Sequence, residues 1–125
     1  MALSALFTRM IPINYAAVLL ATIVAIGLGF LWYGPLFGKQ WRTLSGWTDE
    51  KMAAATSKGM GATYAIMAAS TLVMYYVLAH SLVFASTYLN ANGFTAGLTA
   101  AFWNWLGFVM PVSLGSVLWD GKTWM

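Results

Sequence analysis

The stretch LWYGPLFGKQWRTLSGW, residues 31–47, decides how this chain is organised. It follows a long apolar run without charge and contains the pair Gly34-Pro35, several aromatic residues and two cations. Trp and Tyr collect at the headgroup level of membranes, and Gly-Pro pairs end helices. We therefore interpret the stretch as the point where a membrane helix meets the aqueous surface.

The composition is that of a membrane protein. Of 125 residues, 61% are hydrophobic, 16% are aromatic and only 7% are charged, whereas about a quarter of a soluble domain is charged. The net charge of +3 is too small and dispersed for nucleic-acid binding, which needs a clustered basic face. The chain has no cysteine, which excludes a thiolate nucleophile and a Cys-ligated metal.

Three segments lack Asp, Glu, Lys and Arg over a length sufficient to cross a bilayer, about 20 residues. They lie at residues 15–36, 61–88 and 96–118. The sequence therefore predicts an all-α, polytopic membrane domain over residues 1–125 with three transmembrane helices. Apolar residues at helical spacing in residues 2–11 favour a short amphipathic helix in the membrane interface, with a frayed tail as the alternative.

Small residues recur every fourth position in the first two segments, a pattern that lets helix backbones approach closely in lipid. We predict helix packing through these rows, although Ala and Gly are also common in membrane helices generally. In the third segment an amide suited to interhelical hydrogen bonds, a glycine and a helix-disturbing proline are further packing candidates. The full set is Ala17, Ala21, Ala25, Gly29, Gly61, Ala65, Ala69, Asn104, Gly107 and Pro111.

The loop of residues 38–59 is the only well-charged part of the chain. Thr48 is a suitable helix N-cap, and Asp49 and Glu50 then fall in the first turn, where the helix dipole favours anions. Adjacent carboxylates point in different directions on a helix, so we interpret them as capping residues and not as a catalytic pair. The interfacial and docking residues predicted around this loop and at the far end are Trp32, Tyr33, Lys39, Trp41, Arg42, Trp47, Trp119 and Trp124.

The distribution of cations predicts the topology. Lys39, Arg42, Lys51, Lys58 and Lys122 lie in the loop and the C-terminal tail, against Arg9 alone on the other side. By the positive-inside rule the N-terminus is outside, and loop 38–59 and the C-terminus are cytoplasmic.

Four segments carry a family resemblance: Asn14-Tyr15, LWYGPLFGKQW (31–41), LSGWTDE (44–50) and WLGFVMPVSLGSVLWDG (105–121). Together they resemble a small bacterial integral-membrane family of unknown function, DUF1761. The resemblance implies a multi-pass protein of the bacterial cytoplasmic (inner) membrane and no catalytic residue. It also implies a fourth spanning helix after the Trp-Asp-Gly turn, where this chain ends at Met125. The sequence is then either a short variant or lacks its C-terminal part.

His80 is the candidate cofactor residue, because a histidine inside a membrane segment is a functional hypothesis by default. Such a side chain can ligate haem or a pigment metal, or relay protons. A structural or interfacial histidine is the alternative, since no second histidine or charged partner accompanies it in the segment. No other cofactor is evident, apart from lipids.

The functional expectation is a non-enzymatic protein. The sequence has no Ser-His-Asp order, no paired carboxylates and no phosphate-binding loop. We expect an accessory or structural subunit that packs against a larger membrane complex, with other membrane subunits, a homo-oligomer and lipids as partners and no nucleic acid. The alternatives are a small oligomeric transporter or channel and, less favoured, a subunit that contacts a pigment or haem through His80.

Overall fold

The computed structural model describes residues 11–120, which form helices joined by short turns, with no strand among them. In chain order the helices are α1 (Tyr15–Leu31), α2 (Gly38–Leu44), α3 (Asp49–Ser57), α4 (Gly61–Leu89), α5 (Gly93–Asn104) and α6 (Met110–Asp120). Two π turns, Trp32–Leu36 and Trp105–Val109, follow α1 and join α5 to α6. The predicted interfacial helix of residues 2–11 lies, apart from Ile11, outside the described residues.

The three predicted membrane-spanning helices are confirmed. They extend over Tyr15–Leu36, Gly61–Leu89 and Gly93–Asp120, and each is long and apolar enough to cross a membrane. The third begins at Gly93, not at residue 96. At 1.5 Å per residue α4 is about 43 Å long, which exceeds a hydrocarbon core of about 30 Å and requires tilt or extension into the interface.

Local interactions define both ends of the first spanning helix. The Asn14 side chain accepts a hydrogen bond from the Ala17 amide at 3.0 Å, which caps α1. At the other end the Phe37 amide donates to the Trp32 carbonyl at 2.9 Å, a five-residue span that closes a π turn containing Pro35. Proline cannot donate the usual helical bond, and a wider turn leaves room for its ring. The predicted helix exit at Gly34-Pro35 is confirmed.

Gly38 is the residue that allows α2 to start directly after this turn. It is buried, and a Cβ at this position would lie 2.6 Å from the Tyr33 carbonyl oxygen and 3.3 Å from the carbonyl carbon. Both atoms belong to the backbone, so neither can move aside as a flexible side chain would. Only glycine permits this approach.

The loop helix α3 follows the prediction in detail. The Lys51 amide donates to the Thr48 hydroxyl at 3.3 Å, which makes Thr48 the N-cap. Asp49 and Glu50 occupy the first turn. Between α2 and α3 the chain reverses at Gly46, whose φ of 66° favours glycine.

The described chain forms two compact units, divided within α4. In the first, Asn14–Val77, two ring contacts show that α1 and the beginning of α4 are antiparallel. Tyr15 stacks on Tyr76 with centroids 6.4 Å apart, and Phe30 meets Tyr64 at 5.9 Å. Between these levels the buried residues are Val18, Thr22 and Thr71.

The second unit contains the chain from Leu78 onward and residues 11–13 among those described. A polar turn ends α4, with Asn90 at φ 50° and Gly93 at φ 58°. Ala96 and Ala100 on α5 are buried. One turn further along this row, the Asn104 amide nitrogen donates to the Ser81 hydroxyl of α4 at 2.7 Å. The Asn104–Ser81 hydrogen bond therefore joins α5 to the end of α4.

The disturbance predicted at Pro111 takes the form of the second π turn. The Met110 amide bonds the Trp105 carbonyl five residues earlier, and Pro111 then lies in the first turn of α6. Membrane helices accommodate proline by such local adjustments, which re-satisfy freed backbone groups.

Gly38→Ala is expected to destabilise the protein by about 1–3 kcal/mol, the usual cost of overpacking, because the new methyl group overlaps the Tyr33 backbone. Gly27→Ala is the control: its Cβ would meet nothing within 4 Å, and alanine favours helix over glycine. Apparent melting temperatures of the purified proteins in detergent give the comparison. Equal values for the two variants would contradict the steric argument.

Candidate functional site

An apolar groove between α1 and α4 is the candidate site of the first unit. Its volume is about 600 Å³, within the range of about 300–1,000 Å³ found for ligand pockets. Residues of α1, the first π turn, α2 and α4 line it: Ala25, Ile26, Gly29, Phe30, Tyr33, Gly34, Trp41, Tyr64, Met67, Ala68 and Thr71.

The inner part of the groove is formed by small or buried residues. Ala25, Gly29 and Ala68 are half-buried and Thr71 is buried. The Thr71 hydroxyl donates to the Met67 carbonyl of its own helix at 2.8 Å. Among the described residues no buried side-chain nitrogen or oxygen lacks a hydrogen-bond partner. This inner surface therefore presents mainly hydrocarbon.

Aromatic rings form the sides of the groove. The rings of Phe30 and Tyr64 meet at an angle of 45° across the two helices. Both side chains are more than half exposed, so they form a rim and not a closed wall. Such a pair contributes about 0.5–1.5 kcal/mol beyond its buried area and holds the helices at a fixed level.

A ladder of three rings caps one end of the groove. Tyr33 meets Trp41 edge-on with centroids 5.6 Å apart, and Trp41 stacks on Trp47 at 6.2 Å. The π turn and Gly38 bring α2 back beside the end of α1, which places Trp41 against Tyr33. The Trp47 amide donates to the Arg42 carbonyl at 3.0 Å, which holds the last ring of the ladder in place.

The helix at this capped end also carries cations. Lys39 and Arg42 belong to α2, as does Trp41, and both are exposed. They are three residues apart, so they lie on one side of the helix. Within residues 11–120 neither forms an ion pair, while the Lys51 ammonium donates to the Gly46 carbonyl at 3.1 Å. The positive charge of α2 is therefore not neutralised by an ion pair within residues 11–120.

A part-buried polar contact joins α5 to the end of α4 in the second unit. Besides its bond to Ser81, the Asn104 amide nitrogen donates to the Ala100 carbonyl at 2.7 Å. Asn104 is directly followed by the π turn that begins at Trp105. An interhelical hydrogen bond at this position fixes the register of α5 against α4.

The predicted packing residues differ in exposure. Ala21, Ala25, Gly29 and Asn104 are half-buried. The others are exposed: Ala17, Gly61, Ala65, Ala69, Gly107 and Pro111. Whether these exposed residues pack against another helix stays a prediction.

Most of the predicted anchor residues are exposed, and their position at a membrane surface stays a prediction. Trp41 is half-buried, whereas Trp32, Tyr33, Lys39, Arg42, Trp47 and Trp119 are exposed. Trp32 packs on Phe37 with centroids 4.5 Å apart. Trp124 lies outside the described residues. The structure brings Tyr33, Trp41 and Trp47 together, and Trp119 belongs to α6 of the second unit.

His80 is half-buried in α4 and directly precedes Ser81, the partner of Asn104. Adjacent residues of a helix point about 100° apart, so His80 and Ser81 occupy different faces. Within the described residues no group of three His, Asp or Glu side chains could hold a metal ion. The role of His80 stays a prediction.

Sequence reasoning missed several residues of the groove and of the second unit. Tyr64 and Thr71 on α4 and Phe30 on α1 were not singled out, nor was the row of Ala96 and Ala100. One signal was available: Thr22 and Thr71 are hydroxyl residues inside apolar segments, and such residues often mark helix contacts in membranes. Ser81 carried the same signal.

Comparison with known proteins identifies a family but no specific function. The family model of a protein of unknown function, DUF1761, matches residues 16–125. No curated protein and no solved structure matches the chain.

A double-mutant cycle tests the Asn104–Ser81 contact. Asn104→Ala and Ser81→Ala should show a coupling energy of about 0.6 kcal/mol, and no more than about 1.7, as found for hydrogen bonds between membrane helices. Unfolding in mixed micelles of mild detergent and dodecyl sulfate provides the measurement. As a control cycle, Asn104→Ala is paired with Ser116→Ala, since the Ser116 hydroxyl donates to Ser113 of its own helix. Coupling of the same size in both cycles would contradict a specific contact.

Proposed function

The chain belongs to DUF1761, a family of proteins of unknown function, and we propose that it is a non-catalytic accessory or structural subunit that packs against a larger membrane protein. The apolar composition and the three helices long enough to span a membrane support interactions within the membrane. The sequence has few carboxylates and no cysteine, so it contains few side chains that could act as a catalytic acid, base or nucleophile.

One observation carries the proposal: a row of small residues on α4 is exposed in the isolated chain. Gly61, Ala65 and Ala69 are all exposed, and a Cβ at Gly61 would meet nothing within 4 Å. At about 100° per residue this row lies about 110° around the helix from the groove-facing residues. Contact with lipid needs no small side chains, whereas close approach of another helix does. The row suits a helix of a second membrane protein.

A transporter or channel is less well supported. Transport pathways usually contain ionisable groups inside the membrane, and the three spans hold few. The polar groups at the α1–α4 contact, Thr22 and Thr71, donate to carbonyls of their own helices. Because both hydroxyls are hydrogen-bonded to backbone carbonyls, they do not suggest a polar path across the membrane.

The proposed location is the bacterial cytoplasmic membrane, with the N-terminus outside and residues 38–59 and the C-terminus in the cytoplasm. The support is the distribution of charge: Lys39, Arg42, Lys51 and Lys58 lie in one loop. Lys and Arg are retained on the cytoplasmic side of membrane proteins.

Single-cysteine labelling tests this topology without background, because the chain has no cysteine of its own. Asn92→Cys and Lys58→Cys are suitable, since both residues are exposed and lie in opposite loops. A membrane-impermeant maleimide should label Asn92→Cys in bacterial spheroplasts and label Lys58→Cys only after lysis. The reverse pattern would contradict the orientation.

Purification of the native protein in mild detergent, followed by mass spectrometry, tests the subunit role. We expect a second membrane protein to co-purify in constant ratio. Ala65→Leu should reduce its recovery several-fold, because the added bulk prevents close helix approach. Ala16→Leu makes the same change at an exposed position of α1 and should have no such effect.

A homo-oligomer of sharp size without a companion would contradict the subunit proposal and favour the transporter. An absorption spectrum of the same sample tests the pigment or haem alternative, which requires a chromophore that is lost in His80→Ala.

A further inference from the structure

We propose that the groove between α1 and α4 binds an anionic phospholipid, with one acyl chain in the groove and the phosphate at Lys39 and Arg42. This goes beyond the proposed subunit role, because it assigns a ligand to a different face of the molecule. It does not depend on a partner protein.

The groove is suited to hydrocarbon. Ala25, Gly29 and Ala68 leave room between the helices, and the buried hydroxyl of Thr71 donates to the Met67 carbonyl. The groove is open on one side and lies between two membrane-spanning helices, so the surrounding bilayer supplies acyl chains at high local concentration. A chain that enters contacts Phe30, Tyr64 and Met67 and gains burial without displacing a hydrogen bond.

The capped end of the groove lies where a lipid headgroup would be. Tyr33 and Trp41 line this end, and such amphipathic rings sit at the headgroup level. The helix α2 begins there, directly after the end of the first span. An acyl chain that follows the groove toward Trp41 therefore brings its glycerol and phosphate to the surface of α2.

The charge of α2 selects an anionic headgroup. Arg42 follows Trp41, so its side chain points about 100° around α2 from the indole, at the edge of the groove-facing side. Lys39 is its neighbour one turn earlier. Neither cation is paired within residues 11–120, and the guanidinium fork matches a phosphate in geometry. Charge complementarity therefore favours an acidic phospholipid over a zwitterionic one.

Native mass spectrometry of the purified full chain measures the binding. The protein is titrated with phosphatidylglycerol and, separately, with phosphatidylcholine of the same acyl chains. We expect preferential binding of one phosphatidylglycerol. Replacing both cations, Lys39→Gln with Arg42→Gln, should weaken it about 25-fold, since each basic residue near an anionic membrane surface contributes about fivefold in affinity. Lys58→Gln, a cation of the same loop outside α2, should change the affinity less than twofold.

A matched pair of glycines tests the acyl-chain position. Both Gly27 and Gly29 lie in α1, and a Cβ on either would meet nothing within 4 Å, but only Gly29 lines the groove. Gly29→Leu should fill the groove and weaken binding of both lipids, whereas Gly27→Leu should not. Phosphatidylglycerol with a photoreactive diazirine in its acyl chain should label Met67 and Ile26 in preference to Leu20, an exposed residue outside the groove.

Four results would overturn the proposal. Equal behaviour of the Gly29→Leu and Gly27→Leu variants would show that the groove is not occupied by the lipid. An effect of Lys58→Gln as large as that of the α2 double variant would show unspecific attraction. Competition by millimolar inorganic phosphate equal to that by phosphatidylglycerol would assign the cations to free phosphate. Photolabel found on a co-purified chain in place of Met67 and Ile26 would assign the groove to a protein helix.

Discussion

No water is available to the backbone in the hydrocarbon core of a bilayer, so each N–H and C=O must find its partner within the chain. This constraint explains why the described residues are helical and how the irregular positions are resolved. Pro35 lies within one π turn and Pro111 directly after another. The buried hydroxyls of Thr22 and Thr71 donate to carbonyls of their own helices. Irregular backbone occurs where a neighbouring turn can complete the hydrogen bonding.

The first π turn has the larger structural consequence. It ends the first span and, with Gly38, directs α2 back beside the end of α1, where Trp41 meets Tyr33 and Trp47. The same short segment thus ends a helix, caps a groove and presents two cations that form no ion pair within residues 11–120. Its aromatic and basic residues act together only because the backbone can approach closely at Gly38.

Two faces of α4 then carry different chemistry. One holds Tyr64, Ala68 and Thr71 and forms the groove with α1. The other holds the exposed row of Gly61, Ala65 and Ala69. A lipid in the first and a protein helix on the second can be bound at the same time, because the two faces are about a third of a turn apart.

The amino-acid sequence by itself determined the three spans, the helix exit at Gly34-Pro35 and the Thr48 cap, because each depends on composition or on residues within one or two turns. It did not determine which face of each helix meets another. Small rows on α1 and α4 look alike in sequence, yet Ala21, Ala25 and Gly29 are half-buried whereas Gly61, Ala65 and Ala69 are exposed. The level at which α1 and α4 are paired, fixed by Tyr15 with Tyr76 and Phe30 with Tyr64, decides which residues line a groove. That level is set by contacts between residues far apart in the chain, which only the tertiary structure brings together.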